Sequence, residues 1–186
     1  MYDLKNLTSQ NIDRNVSILT SLASALALMA AIGVMATSCV DATVKTAEIQ
    51  EQYYSKPLTA EQEQFKSFFQ RHGSPAPVQM AVAVTSTKRP ALMAAIAIRE
   101  SRGNPKAVGD NGKAKGAFQV WPEYWGDVPT DAAGQAKQAE QILEALEASH
   151  ARGSLLQALA YYNTGDTRSR VGRRYAQAVM ALRRQL

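Results

Sequence analysis

Glu100 is the residue in this sequence whose type and position are hardest to explain without chemistry. Met93, Ile96 and Ala97 precede it by seven, four and three positions, a spacing that places all four on one face of a helix. A carboxylate there would sit on an apolar stripe close to the negative end of the helix dipole, and both conditions disfavour the ionised form. A carboxyl group that stays protonated near neutral pH is what a general acid requires. Spacing alone also allows a solvated last-turn glutamate paired with Arg99 or Arg102, whose pKa would fall. Asp110 and Asp127 are the carboxylates that could activate a water opposite Glu100, although Asp110 stands in Gly109-Asp110-Asn111-Gly112, where aspartate also serves as a turn former. Trp121, Tyr124 and Trp125 offer aromatic faces for a sugar ring, or half-buried core rings.

Several chemistries are excluded by what is missing. One cysteine and two histidines cannot build a disulfide framework, a cysteine-based zinc finger or a three-histidine metal site. The sequence holds no GxSxG, P-loop or HExxH motif, so serine-hydrolase, nucleotide and zinc-protease readings have no support. No metal and no cofactor are expected.

The elements that must position these groups are mainly helical. Pro90 opens a helix over Ala91 to Ser101 that Gly103-Asn104-Pro105 stops. Asp131 to His150 carries Ala139, Ile142, Leu143 and Leu146 on one face; Ser154 to Tyr162 forms a further helix closed near Gly165. Val171, Tyr175, Ala178, Val179 and Leu182 make the apolar stripe of a last helix, with Arg170, Arg173, Arg174, Arg183 and Arg184 outside it. A short hairpin is expected around Gly109 to Gly112. The fold class is therefore mostly α with an irregular Gly-rich insert, and residues 78–186 form the folded domain, bounded by Ser74-Pro75-Ala76-Pro77.

Residues 41–77 read as a polar spacer with one short helix, Ala60 to Arg71, opened by a capping box of Thr59 and Gln62. Residues 1–40 contain an uncharged apolar stretch, Asn15 to Val40, longer than the roughly 20 residues a bilayer-spanning helix needs. An uncleaved membrane anchor is the favoured reading of this N-terminal apolar helix; a cleaved signal and an Ala-rich core helix are its competitors.

The net charge of +5 is unevenly placed. Residues 1–87 hold six basic and seven acidic side chains, and residues 88–186 hold fifteen and nine. A basic C-terminal part suits nucleic acid, a membrane surface or the acidic polymers of a cell wall. The arginines around Tyr175 are expected to be a solvated helix face, and no nucleic-acid partner is expected.

Three blocks in order, Ile98-Arg99-Glu100-Ser101-Arg102-Gly103-Asn104-Pro105, then Gly116-Ala117-Phe118-Gln119, then Ala160-Tyr161-Tyr162-Asn163-Thr164-Gly165, resemble the catalytic domain of the soluble-lytic-transglycosylase type, related in fold to goose-type lysozyme. The resemblance covers about residues 78–180 and implies a lysozyme-like helical domain acting on peptidoglycan. It implies Glu100 as the single catalytic acid, with Ser101 orienting it or the substrate. Gln119, Tyr162 and Asn163 would line the sugar cleft, Gly116 would permit a close backbone approach, and Tyr175 would hold the acid. Phe118 stands where many relatives carry an aliphatic residue, and Asp110 to Lys115 lengthens the insert. The implied reaction cleaves the β-1,4 bond between N-acetylmuramic acid and N-acetylglucosamine and closes a 1,6-anhydro ring; a hydrolase using Asp110 or Asp127 is the enzymatic alternative, and an envelope-anchored peptidoglycan-binding protein the non-enzymatic one. The implied partner is the glycan strand, the apolar N-terminal stretch adds a membrane, and wall turnover, a secretion or conjugation apparatus and a phage-entry apparatus all stay open as the setting. The location implied is the cell envelope, at the periplasmic face of the inner membrane or on a virion.

Overall fold

Helix starts are written into the chain by prolines and short polar caps. Thr59 and Gln62 close the expected capping box, Thr59 Oγ1 accepting from Gln62 N at 3.2 Å and Gln62 Oε1 accepting from Thr59 N at 3.0 Å. This opens α1, Ala60–Arg71. Pro77 and Pro90 open α2, Pro77–Thr85, and α3, Pro90–Ser101, each supplying a preset φ where no amide donor is needed. A hairpin follows, with β1 (Val108–Gly109) antiparallel to β2 (Ala114–Lys115) across a 3-10 turn at Asp110–Gly112. The remaining helices are α4, Pro122–Trp125, α5, Ala132–Ser149, α6, Leu155–Thr164, and α7, Arg170–Arg183. This computed structural model describes residues 56–186, and among them the fold is seven α-helices with one two-stranded hairpin, the mostly helical class expected. No helix among the described residues is long and apolar enough to cross a membrane. The apolar helix and anchor expected within residues 1–40 lie outside the described residues, as does the spacer up to residue 55.

The boundary of the folded unit differs from the sequence expectation. The unit runs from Pro57 to Leu186, and α1 belongs to its core instead of to a spacer. Phe65, Phe68 and Phe69 are buried against α2 and α3, and Phe68 meets Phe69 edge to face at 5.8 Å. Three phenylalanines at i, i+3 and i+4 make an apolar stripe narrow enough to be hidden by the polar residues around it.

At the centre lies α3, in which every residue from Leu92 to Ile98 is buried, so it is apolar on all sides and packs on α2, α5 and α7. The start of this helix has amide donors that its own sequence does not cap: Arg89 precedes Pro90 and makes no side-chain cap. The cap comes from α5. The buried carboxylate of Glu140 accepts from Lys88 N at 3.1 Å and from Arg89 N at 3.0 Å. One and two turns on, Glu144 pairs with Lys88 at 3.0 Å and Glu147 with Arg89 at 2.7 Å. At the other end α7 crosses α6 so closely that a Cβ on Gly172 would lie 2.7 Å from the carbonyl oxygen of Ala160. That approach brings Tyr175, one turn later, against the end of α3.

Replacing Glu140 with alanine therefore removes two charge-assisted bonds to otherwise unpaired amides. Urea denaturation should show a loss of about 2–3 kcal/mol, with Glu140→Gln losing less because its amide oxygen still accepts one bond. Unchanged stability in Glu140→Ala would show that the α3 start is adequately hydrated without it.

Candidate active site

Glu100 occupies the last turn of α3, and its carboxyl faces α7. Tyr175 Oη donates to Glu100 Oε1 at 2.5 Å, from a ring that is only 4% exposed. Burial is the main influence on the carboxyl and lifts its pKa to about 7; the Tyr175 bond and the charge of Arg99 oppose the lift, and the charge of Asp110 adds to it. Among the described residues Glu100 makes no ion pair. The two possibilities left open by spacing are thus decided for the buried acid, because Arg99 projects into solvent and offsets burial only in part. Tyr175 and Tyr162 have hydroxyls pushed well above the ordinary range, first by burial and then by the charge of Glu100, so both remain donors.

The second block is held against the first by bonds from both sides. Ser101 Oγ donates to the Ala117 carbonyl at 2.8 Å and accepts from Asn104 N at 2.9 Å. Ser101 thereby ties the end of α3 to the Gly116–Gln119 segment. Tyr162 Oη likewise donates to the Phe118 carbonyl at 2.8 Å. Gln135, buried on α5, accepts from Ala117 N at 2.8 Å and donates to the carbonyls of Pro105 and Pro129 at 3.0 and 2.9 Å. Its side chain lies where a Cβ on Gly116 would be, 2.6 Å from Oε1, and Gly116 has φ +77°. At Gly116 the group that approaches closely is the Gln135 side chain.

A cleft of about 520 Å³ opens beside Tyr162. Gln119, Tyr162 and Asn163 line it, and Gln119 Nε2 is steadied on the Gly116 carbonyl at 2.9 Å. Trp121, Tyr124 and Trp125 also line it; Tyr124 is 68% exposed, so these rings form a cleft wall and not a core. Trp121 stacks on Tyr124 at 5.8 Å, with Lys113 Nζ 5.3 Å from its ring centre. Its Nε1 donates to Asp110 Oδ2 at 3.2 Å. Asp110 therefore sits on the cleft, whereas Asp127 is exposed outside it. Among the described residues no three His, Cys, Asp or Glu side chains converge to hold a metal.

Sequence reasoning missed Gln135, Glu140 and the cleft pair His150 and Tyr161, whose rings lie 4.3 Å apart. Gln135 and Glu140 share a helix face with Ala132, Ala136 and Ala139, and polar residues on an apolar face were the signal available. Nothing in the sequence joins His150 to Tyr161, because their contact is made between α5 and α6.

Linkage gives a test of the Glu100 environment. Unfolded, the carboxyl releases its proton near its ordinary value of 4.5; folded, it keeps the proton to about 7. Wild-type stability should therefore fall as pH rises from 4.5 to 7 by about 3 kcal/mol and change no further above that. Glu100→Gln lacks this loss, so its advantage in denaturation midpoint should grow over the same interval. A pH-independent difference would contradict the buried acid. Tyr175→Phe removes a bond that favours the ionised form, so its stability loss should move to higher pH.

A comparison with curated proteins finds no match to the chain. The family model described as Transglycosylase SLT domain matches residues 79–181, which take in α3, the hairpin, the Gly116–Gln119 segment, α6 and Tyr175. With more than half of the 186 residues matched around the Glu100–Tyr175 pair, the chain belongs to the Transglycosylase SLT domain family, whose activity is the lytic cleavage of peptidoglycan in the cell envelope.

Proposed function

We propose that Glu100 is the single acid and base of a lytic transglycosylase that cuts between N-acetylmuramic acid and N-acetylglucosamine and leaves a 1,6-anhydromuramic end. The observation that carries this reading is the buried Glu100 carboxyl, poised near 7 with one oxygen bound by Tyr175. Protonated Glu100 gives its proton to the leaving glycosidic oxygen, and the 2-acetamido oxygen of the muramic residue stabilises the anomeric cation in place of a protein carboxylate. Ionised Glu100 then takes the proton of the muramic 6-hydroxyl, whose oxygen closes on the anomeric carbon. The carboxyl ends as it began, protonated, and no water enters.

Tyr175 acts as a positioning residue: its bond fixes one carboxyl oxygen and leaves the other for the sugar. Gln119 and Asn163 orient the sugar from the cleft, and the Tyr162 ring packs against it while its hydroxyl holds Phe118. The uncharged stretch from Asn15 to Val40 anchors the domain to a membrane in this reading.

A hydrolytic reading has one observation in its favour, that Asp110 lines the cleft beside Gln119 and Tyr162 and its charge reaches Glu100. Against it, one Asp110 oxygen is engaged by Trp121, and the residue holds a left-handed turn at φ +47°.

Glu100→Gln should lower muropeptide release from sacculi by more than about 100-fold with the fold retained; near-normal release would move the acid elsewhere, and retained binding without any wild-type turnover would make the protein a wall-binding module. Mass analysis of the digest should show anhydro ends, one water lighter than hydrolysis products. Asp110→Asn should slow the reaction only modestly. Reducing ends, together with an Asp110→Asn loss comparable to that of Glu100→Gln, would establish the hydrolase.

The anchor has its own test. The full chain should remain with membranes through carbonate extraction, and residues 41–186 should be released; release of the full chain would remove the anchor.

A further inference from the structure

The mechanism leaves one large feature of the molecule unused. Residues 56–186 carry eighteen lysines and arginines against eleven aspartates and glutamates, and six of the eighteen but none of the eleven lie beyond Thr167. Those six are Arg168, Arg170, Arg173, Arg174, Arg183 and Arg184, so nearly all the net positive charge of the folded unit belongs to α7 and its flanks. All six are exposed, and none enters a salt bridge among the described residues. Arg170 lies three and four positions before Arg173 and Arg174, spacings at which like charges destabilise a helix. A solvated face needs no such arrangement, since mixed charges would keep it equally soluble. Every base in the segment is arginine, whose planar fork matches a carboxylate in a way that lysine does not.

Position supplies the partner. The far wall of the cleft ends at Asn163, Thr164 and Gly165, and the chain runs from there directly to Arg168 and Arg170. The helix that carries the arginines also carries Tyr175, which holds the catalytic carboxyl. At 1.5 Å per residue, Arg170 to Arg184 extend over ~20 Å. Arg168 and Arg170 lie three and five residues beyond Gly165, within ~17 Å of that wall by chain length alone, so a polymer extending past this end of the cleft meets the start of the arginine face. Peptidoglycan is such a polymer, and its peptide stems bear free carboxylates at regular intervals along the strand.

We propose that the arginine face of α7 is a second contact surface for peptidoglycan, binding the carboxylates of peptide stems and directing cleavage to strands that carry them. This rests on the reaction proposed above and goes beyond it in naming which strands are preferred.

Binding and turnover separate the two. With Glu100→Gln protein, co-sedimentation should show intact sacculi bound about tenfold more tightly than sacculi stripped of peptides by an amidase, a difference that shrinks as salt rises. The combined variant Arg168→Gln, Arg170→Gln, Arg174→Gln should lose that difference; Arg173 is left in place because its guanidinium holds the Arg168 carbonyl at 2.6 Å. Built on otherwise native protein, the same variant should cleave stripped strands at the native rate, which also shows that it folds. Equal binding of intact and stripped sacculi by the parent protein would overturn the proposal. So would a triple variant that keeps the preference, or arginine-dependent binding that is stronger to phosphatidylglycerol vesicles or to DNA than to intact sacculi. Should no strand be cleaved by native protein, the reaction fails as a reading, while the binding comparison still decides the role of the arginines.

Discussion

Keeping water from a carboxyl group favours its protonated form, and the arrangement of helices around Glu100 does this. The group stands at the end of a helix that is apolar on every side, and the helix that closes over it brings a tyrosine hydroxyl and no opposite charge. The hydroxyl pulls the pKa down and burial pulls it up, and burial prevails. An arginine in place of Tyr175 would reverse that balance and leave a permanent carboxylate. The geometry therefore depends on how closely α7 can approach α3, which in turn depends on the contact of Gly172 with the Ala160 backbone.

The same economy is visible in the segment tied to the end of α3. Gly116 to Gln119 has little regular structure of its own, yet its backbone is fixed by Ser101 from α3, Tyr162 from α6 and Gln135 from α5. Each bond satisfies a buried carbonyl or amide that would otherwise be left without water. Three helices thus share one loop, and the loop holds Gln119 at the cleft. Two of the side chains that family resemblance assigns to substrate, Ser101 and Tyr162, use their hydroxyls for this support.

Charge is divided as the functions are. The acidic side chains of α5 are turned inward and along the start of α3, where Glu140, Glu144 and Glu147 meet Lys88 and Arg89. The bases of α7 face water without carboxylate partners among the described residues. One helix is charged to hold the fold, and the other keeps its charge available.

Local pattern determined much of this protein. Proline and capping residues marked the starts of α1 and α3, and the apolar stripe before Glu100 marked that glutamate as unusual, because both depend on neighbours within a turn or two of the chain. The ordered blocks around Glu100, Gln119 and Asn163 pointed to a cleft only through their resemblance to a family, not through local physics. Tertiary structure decided everything that needed a distant partner. Whether Glu100 would be a surface ion pair or a buried acid was not legible, since a pKa is set by whatever packs above the group and not by its neighbours in sequence. Tyr175 was equally consistent with a core ring until α7 was seen to lie on α3. Helix α1 passed for spacer because its three phenylalanines gain meaning only from the groove they fill, and Glu140 went unmarked because the amides it caps lie just before another helix. A chain can encode its own turns and helix ends, but burial is a property of the assembled helices, and it is burial that gives Glu100 its proton.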